Sequence, residues 1–375
     1  MNTKISTDVC VLWWGIAGTM LSKKASNLGY KTVLLEQNTV IGAWPSTKNE
    51  WWLHRWTYHA QSIANENQAL QVAGRCIYGH EQVRTYAPEA IEDPISPGYA
   101  IIQDVGRYEY VLDRWRKAGV SFEEVSPNTL IKLEPTVKSW NIGRVFKVKD
   151  LWINTRMLFA RLLHDFQSNW GKIMLGHTVS IDKQTVSTST WVDIEARLFI
   201  YCIWYGVKNF FKENFQVDIP LRLWKSHLLV TPRVTNNSVF YLDPWEAWMM
   251  NHWKTTVFWM NEDAFIVEKY DTTPVLQNIS NIRWAIQKAF SLGENYPHQP
   301  IACIKVDFAP ELRSPRSLGI AITEPLPGHI IALPGKMTET PYMTDMLTQT
   351  IFERLWAPNI AKRPLDEFIE KGYNS

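Results

Sequence analysis

Glycine is scarce in this chain of 375 residues. It has 18 glycines, whereas an average usage of about 7% predicts roughly 26 in a chain of this length. Tryptophan is in excess, with 19 residues. The two deviations together raise the question whether tryptophan stands at positions that a turn would normally give to glycine.

Other features are missing too, and each absence argues against a class of protein. No apolar run approaches the length of about 18 residues that a membrane-spanning helix needs, and the N-terminal residues lack a signal-peptide pattern. We therefore expect no integral membrane segment, while peripheral membrane contact stays open. The four cysteines show no CxxC spacing, which argues against a zinc site or a disulfide framework and favours a cytoplasmic setting. A net charge of +2 gives no electrostatic case for nucleic acid.

The first forty residues have the periodicity of a parallel βαβ unit. Residues 8–13 predict an apolar strand, residues 16–29 a helix that ends at Gly29, and residues 31–36 a second apolar strand. Hydrophobic residues make up 46% of the chain and charged residues 20%, as in an ordinary globular protein. We expect the two strands to lie side by side in one sheet.

Later segments predict a second kind of sheet. An amphipathic helix at 155–170 precedes a strand at 172–181, residues 220–270 alternate as in an antiparallel sheet, and the C-terminal part returns to strand, turn and helix. This order predicts an α/β fold, in which a Rossmann-like nucleotide-binding domain is interleaved with an antiparallel-sheet substrate domain. The expected boundaries are 1–75, 150–215 and 305–375 for the first domain, and 76–149 and 216–304 for the second.

The turn after the first strand resembles a dinucleotide-binding fingerprint, GxGxxG. Gly15 and Gly18 occupy its second and third glycine positions, while Trp13 occupies the first. Glu36, at the end of the second strand, stands where an acid binds ribose hydroxyls. The alternative is an ordinary βαβ crossover with incidental glycines.

Further segments follow in an order typical of one family. Residues 46–56, STKNEWWLHRW, are similar to an S/T-x-x-N-x-G-x-x-H-x-G loop, with tryptophan at both glycine positions. Leu133-Glu134-Pro135, the run from Asp150 to Val179, the strand 199–204 ending in Trp204, the segment 312–315 and the loop 334–338 also match. Together they resemble the D-amino acid oxidase / glycerol-3-phosphate dehydrogenase superfamily of FAD-dependent oxidoreductases, in its 2-hydroxyglutarate oxidase-like form.

The resemblance implies FAD as cofactor and no metal. It also implies a set of cofactor-binding positions: Trp13, Gly15, Gly18, Glu36, Thr47, Asn49, Val179, Trp204, Gly335, Lys336, Met337 and Thr338. Arg313 would anchor a substrate carboxylate, because its planar guanidinium binds a carboxylate in a bidentate manner. His54 would polarise the substrate or act as a base. A surface ion pair for Arg313 and a hydrogen-bonded loop histidine for His54 are the alternatives, and Lys225, His227, His252 and His329 are expected to be structural.

The resemblance therefore predicts an enzyme that oxidises a small amine or 2-hydroxy acid by hydride transfer to FAD. Electrons would pass to oxygen, a quinone or another acceptor. The alternative is a non-catalytic relative that has lost FAD binding. An NAD(P)-dependent dehydrogenase is argued against by the flavin-loop and C-terminal matches.

The tryptophans themselves need an explanation. Trp13, Trp51, Trp56 and Trp204 stand at expected glycines, and others lie in turn-like contexts: Trp14, Trp44, Trp170, Trp245, Trp248, Trp253 and Trp259. The chain is a decayed or repurposed relative, or the tryptophans were introduced deliberately, or a UGA codon read as glycine in its own lineage has been translated as tryptophan. We favour the third hypothesis, which predicts UGA at these positions and UGG at Trp52 and Trp356.

Overall fold

The structure is a computed structural model that describes residues 3–13, 15–39, 51–92, 98–182, 184–309, 316 and 318–355. The strands are β1 (Thr3–Leu12), β2 (Thr32–Leu35), β3 (Trp52–Leu53), β4 (Ile91–Glu92), β5 (Gly98–Ile102), β6 (Phe122–Val125), β7 (Arg144–Val148), β8 (Leu151–Ile153), β9 (Lys172–Met174), β10 (Val179–Asp182), β11 (Thr185–Thr188), β12 (Val192–Tyr201), β13 (Leu221–Pro232), β14 (Ser238–Tyr241), β15 (Ala247–His252), β16 (Thr255–Met260), β17 (Phe265–Val267), β18 (Gln299–Phe308), β19 (Ala321–Leu326) and β20 (His329–Leu333). The helices are α1 (Ile16–Asn27), α2 (His59–Ser62), α3 (Glu66–Tyr86), α4 (Tyr108–Lys117), α5 (Pro127–Leu133), α6 (Thr155–Ser168), α7 (Gly206–Phe215), α8 (Leu276–Ala289) and α9 (Thr340–Leu355).

The chain folds into two compact units, and unit 1 comprises Met1–Thr47, Thr155–Leu221 and Asp307–Ser375. Its sheet contains five parallel strands in the order β9-β2-β1-β12-β20, with β10, β11 and β19 paired antiparallel at the sides. The helices α1, α6 and α9 supply apolar faces, and Leu21, Phe166 and Met343 lie in one buried cluster with strand residues such as Val11 and Ile200. This is the Rossmann-like α/β arrangement that the sequence predicts.

Unit 2 comprises Lys48–Asn154 and Arg222–Val306. Its large sheet runs β17-β13-β16-β15-β14-β5-β7-β6, with β18 paired to β13. Along the path from β17 to β6 the pairs are antiparallel, except that β14 lies parallel to β5. Helix α8 packs its apolar face, including Ile282 and Ile286, into a buried cluster with Phe258 and Tyr241 of the sheet. The predicted interleaved antiparallel sheet is therefore confirmed.

The units do not divide where the sequence placed the domain boundaries. Residues 51–75 and 150–154 lie in unit 2, whereas the prediction assigned them to the nucleotide-binding domain. The physical reason is a small three-stranded sheet: β8 pairs with both β3 and β4, which ties these short segments together. The assignment of one unit to the cofactor and the other to the substrate stays a prediction.

Three local predictions also differ from the structure. The strand predicted at 172–181 is broken into β9 and β10, because Gly176 has a φ of +71° between them. Trp248 and Trp259 lie within β15 and β16 rather than in turns, and their rings stack at 5.4 Å. Both sit at strand positions where large apolar side chains are common.

Candidate functional site

The carboxyl ends of the parallel strands of unit 1 meet at one edge of the sheet, which we call the nucleotide edge. Leu12 at the end of β1 is in register with Leu35 of β2 and Tyr201 of β12, and Tyr201 is in register with Ile331 of β20. The chain turns to β2 on one side of β1 and returns to β12 on the other. A ligand site in an open α/β sheet lies at such a point of reversal.

The turn between β1 and α1 belongs to this edge. Trp13 donates its backbone N–H to the carbonyl of Leu35 at 2.8 Å and has a φ of +60°. Helix α1 begins after Gly15, with no side-chain cap and no acid in its first turn. Because the first N–H groups of a helix carry partial positive charge, this terminus suits an anionic group such as a pyrophosphate.

Gly18 in α1 allows the helix to lie close to the sheet. A Cβ atom at this position would lie 2.6 Å from the carbonyl oxygen of Trp13 and 3.3 Å from Cγ1 of Val11. Real Cβ atoms essentially never approach backbone so closely, so a larger residue would push the helix off the strand. This is the role of the third glycine in the fingerprint.

Glu36 follows β2 at the same edge and is buried. Its Oε1 accepts hydrogen bonds from the backbone N–H of Asn38 at 2.8 Å and from Asn38 Nδ2 at 2.6 Å. Its backbone carbonyl accepts from His177, two residues before Val179. Val179 opens β10 and is half-buried, in register with Thr188 of β11. The carboxylate is thus held in place by local contacts, as a ribose ligand would need.

Trp204 and Gly335 follow β12 and β20 at the nucleotide edge. Trp204 has a φ of +58° and lies in the turn before α7, while Trp13 packs edge-on against Phe210 of that helix at 5.2 Å between ring centroids.

The turn after β20 passes close to backbone, because a Cβ on Gly335 would lie 1.8 Å from the carbonyl oxygen of Leu318. Lys336, Met337 and Thr338 follow, with Thr338 buried, and lead directly into α9. Since the turn 334–338 passes against backbone, glycine is the residue that fits there.

His54 lies in unit 2, in a buried aromatic cluster. Its ring lies against that of Trp52 at 3.8 Å between centroids and 5.2 Å from that of His59. Phe240, Trp248 and Trp259 also pack against Trp52, at 5.8, 5.0 and 6.0 Å between ring centroids. The cluster excludes water around His54 and restricts the orientation of its ring.

Asp150 fixes the segment that carries His54. This buried carboxylate accepts hydrogen bonds from Trp52 Nε1 at 2.9 Å, from the backbone N–H of Arg55 at 2.9 Å and from the Thr57 hydroxyl. Burial raises the pKa of Asp150 to about 6, although these three donors oppose the rise. The sequence marks Asp150 only as the start of the family-like run from Asp150 to Val179, and its role in fixing the His54 segment was not predicted.

Four residues were expected to be structural, and each makes a hydrogen bond or ion pair within the fold: Lys225, His227, His252 and His329. His227 hydrogen-bonds Asp263 through Nδ1 at 3.1 Å and accepts the N–H of Val275 at Nε2. Lys225 pairs with Asp271 at 2.8 Å. His252 hydrogen-bonds Glu92 at 2.7 Å, and His329 hydrogen-bonds the Tyr201 hydroxyl at 2.7 Å.

Three candidate residues, Thr47, Asn49 and Arg313, lie outside the described residues. Within the described ranges, no group of histidine, cysteine and acidic side chains could hold a metal ion. In the same ranges, no helix is long and apolar enough to cross a membrane. The four cysteines are buried and form no disulfide with one another, and burial raises the pKa of the Cys202 thiol to about 12.

Comparison with known proteins decides the family. The sequence profile of the FAD dependent oxidoreductase family matches residues 8–290. The chain belongs to the FAD dependent oxidoreductase family. No curated protein sequence matches it. The predicted resemblance is confirmed at the level of the family.

Solved structures share the fold of this FAD dependent oxidoreductase at low identity. L-proline dehydrogenase from P. horikoshii is 14% identical with a TM-score of 0.73, covering 99% of both chains. Glycine oxidase from Bacillus cereus is 14% identical with a TM-score of 0.71, covering 95% of this chain and 100% of its own. L-alpha-glycerophosphate oxidase from Mycoplasma pneumoniae with FAD bound is 13% identical with a TM-score of 0.72, covering 94% and 96%.

The cofactor of this oxidoreductase is FAD, and most of the nucleotide edge fits it. The uncapped start of α1, the close approach at Gly18 and the held carboxylate of Glu36 suit a dinucleotide. Trp13 and Trp204 are the departures, because each places an indole where a short turn should leave the backbone accessible.

Proposed function

We propose that this chain oxidises a small amine or 2-hydroxy acid at the carbon next to its carboxylate, by hydride transfer to FAD. The observation that carries the proposal is the nucleotide edge, where an uncapped helix start and the buried Glu36 follow adjacent parallel strands. When bound, FAD supplies the hydride acceptor. We further propose oxygen or a quinone as the electron acceptor and the cytoplasm as the location.

The residues of unit 1 would bind and orient the cofactor. In this proposal the backbone of Gly15 and the first turn of α1 bind the pyrophosphate, and Glu36 accepts hydrogen bonds from ribose hydroxyls. Thr47 and Asn49 would bind the flavin, the backbone of Val179 would bind the adenine, and residues 335–338 would cover the flavin ring.

His54 and Arg313 would act on the substrate. The burial of His54 among aromatic rings supports a role in polarising the substrate or accepting its proton, since water is excluded there. Arg313 would bind the carboxylate through its guanidinium fork. Two of the compared structures are named for amino acids, proline and glycine, and one for glycerophosphate, which supports a small anionic substrate.

The decisive experiment follows flavin bleaching under anaerobic conditions. The chain with glycine at positions 13, 51, 56 and 204 is loaded with FAD and mixed in turn with amino acids, 2-hydroxy acids and glycerol phosphate. Bleaching by a carboxylate-bearing amine or 2-hydroxy acid supports the proposal. Bleaching by glycerol phosphate alone overturns the substrate class, and a folded chain that takes up no FAD indicates the non-catalytic alternative.

Arg313→Lys tests the anchoring role. We expect KM for the bleaching substrate to rise about 10-fold or more while FAD binding is unchanged, because lysine cannot form the bidentate pair. Arg84→Lys on the exposed side of α3, where Arg84 pairs with Glu81 at 2.7 Å, is the matched control and should leave KM as it was.

A further inference from the structure

Tryptophan dominates the left-handed backbone positions of this protein. Nine residues other than glycine in the described ranges have a positive φ, and seven are tryptophan with φ between 51° and 75°: Trp13, Trp51, Trp56, Trp170, Trp191, Trp204 and Trp245. Positive φ is uncommon outside glycine and, where it occurs, favours asparagine and aspartate. A bulky side chain there is an outlier, and seven of them in one chain need one cause.

The end of α6 gives the clearest comparison. Trp170 donates its N–H to the carbonyl of Gln167 and Gly171 donates to Phe166, which is the Schellman pattern that ends a helix. Helix α1 ends in the same way at Gly29, with bonds from Gly29 to Ser26 and from Tyr30 to Ala25. Trp170 has a φ of +63° and Gly29 has +87°. Trp170 therefore occupies the position that glycine occupies in α1.

Helix α4 repeats the pattern. Gly119, with a φ of +70°, donates to Arg116, and Val120 donates to Trp115. Helices α1, α4 and α6 thus share the same cap geometry, twice with glycine and once with tryptophan. The cap of α6 gives no reason for an indole, because the side chain of Trp170 is 96% exposed and so is hardly buried by packing.

The hairpin loop between β11 and β12 also has tryptophan at a left-handed position that glycine usually occupies. The N–H of Trp191 bonds the carbonyl of Thr188, and Trp191 itself has a φ of +62°. A turn followed by one left-handed residue is the common three-residue hairpin loop, in which glycine takes the left-handed position. Trp191 is also largely exposed, so burial does not explain the choice of tryptophan.

Two tight turns show the same preference. In Asp243-Pro244-Trp245-Glu246, proline takes the first central position and Trp245 the second with a φ of +61°, which is a type II turn and calls for glycine. In Ile203-Trp204-Tyr205-Gly206, the N–H of Gly206 bonds the carbonyl of Ile203 and only the first central residue has a positive φ. That is the glycine position of a type II′ turn.

The other tryptophans within the described residues all have a negative φ. Trp115 and Trp284 lie within helices α4 and α8, and Trp152, Trp248 and Trp259 lie within strands, all with ordinary φ. Random decay of a gene would place tryptophan without regard to φ. We infer that the seven positive-φ positions carry glycine in the working protein, through a codon that is read as glycine in its own cells.

This inference restores two features at once. Glycine would rise from 18 residues to 25, close to the roughly 26 of average usage. Trp13 and Trp204, the two departures at the nucleotide edge, are both among the seven. With glycine at both positions the backbone turns after β1 and β12 are open to a pyrophosphate, so the inference deepens the proposed function while resting on backbone geometry alone.

The codons and the natural protein test the inference directly. We expect UGA at the seven positions and UGG at Trp115, Trp152 and Trp284. In protein isolated from the cells that make it, mass spectrometry of the peptides containing residues 170 and 191 should find glycine. UGG codons at the seven positions, or tryptophan in those peptides, would overturn the inference.

Two seven-position variants test it without the native cells. One carries glycine at all seven positions, and its matched control carries alanine at the same seven, which removes the indoles but keeps Cβ. We expect the glycine variant to melt roughly 5–10 °C above the alanine variant and to retain more FAD per chain. Equal melting of the two variants would mean that φ does not select glycine there. Because melting needs no flavin, this result is separate from failure of the proposed function.

Discussion

Replacing Trp170 by glycine should stabilise the protein, although it deletes the largest side chain. A left-handed φ costs a residue with a Cβ roughly 1–2 kcal/mol. The indole is 96% exposed, so its removal forfeits almost no burial. Glycine makes the unfolded chain more flexible, which offsets about 0.4–1 kcal/mol. We expect a net gain in the free energy of unfolding of about 0.5–1 kcal/mol.

Urea unfolding followed by far-UV circular dichroism measures this gain. Trp170→Ala is the matched control, because alanine removes the indole but keeps the Cβ and therefore the strain. Trp284→Gly is the opposite case: Trp284 lies within α8 with ordinary φ, and glycine inside a helix costs about 1 kcal/mol. Glycine at 170 should be the most stable of the set. If the alanine and glycine variants at 170 unfold alike, the backbone reasoning is refuted.

Three further outcomes are expected. Gly18→Ala should lower the free energy of unfolding by about 1–3 kcal/mol, since its Cβ would meet the Trp13 carbonyl at 2.6 Å; Gly293→Ala, with open space at its Cβ, is the control in the same urea assay. Glu134→Gln should cost about 1–3 kcal/mol by the same measurement, because the buried carboxylate accepts hydrogen bonds from Asn236 and Asn237; an unchanged midpoint would contradict this. Between pH 6.5 and 4, protonation of Asp150 (pKa raised to about 6) stabilises the fold as the pH falls, while His80 (pKa lowered to about 4) makes it less stable, by about 3 kcal/mol each. The Asp150→Asn variant should therefore lose stability more steeply on acidification than the parent chain. If the melting temperatures of the two chains fall by the same amount between pH 6.5 and 4, the raised pKa of Asp150 is refuted.

The sequence predicted the elements whose pattern is local. The βαβ start, the amphipathic α6 and the C′ glycine at Gly29 follow from periodicity and cap chemistry within a few residues. The candidate positions after β1, β2, β12 and β20 were found because motifs mark them, and register in one parallel sheet brings the ends of their strands to one edge.

What the sequence did not predict depends on distant partners. Asp150 is about a hundred residues from the segment it fixes, and Glu134 is equally far from Asn236 and Asn237. Residues 51–75 belong to unit 2 because two-residue strands pair with β8, and strands that short carry no periodicity. Trp191 was missed as a glycine position because its hairpin is defined by pairing rather than by a turn motif.

A single misplaced tryptophan is tolerable, but seven are not, and the cap of α6 shows why. Trp170 can escape its left-handed φ only by releasing the bonds to Gln167 and Phe166, which are worth about 0.5–1.5 kcal/mol each. Since that loss equals or exceeds the strain of roughly 1–2 kcal/mol, the backbone keeps its conformation and bears the strain. Seven such positions add up to roughly 7–14 kcal/mol, against a usual margin of stability of about 5–15 kcal/mol. A chain with tryptophan at all seven would therefore have little stability left, and one with glycine there would keep both its fold and an open nucleotide edge.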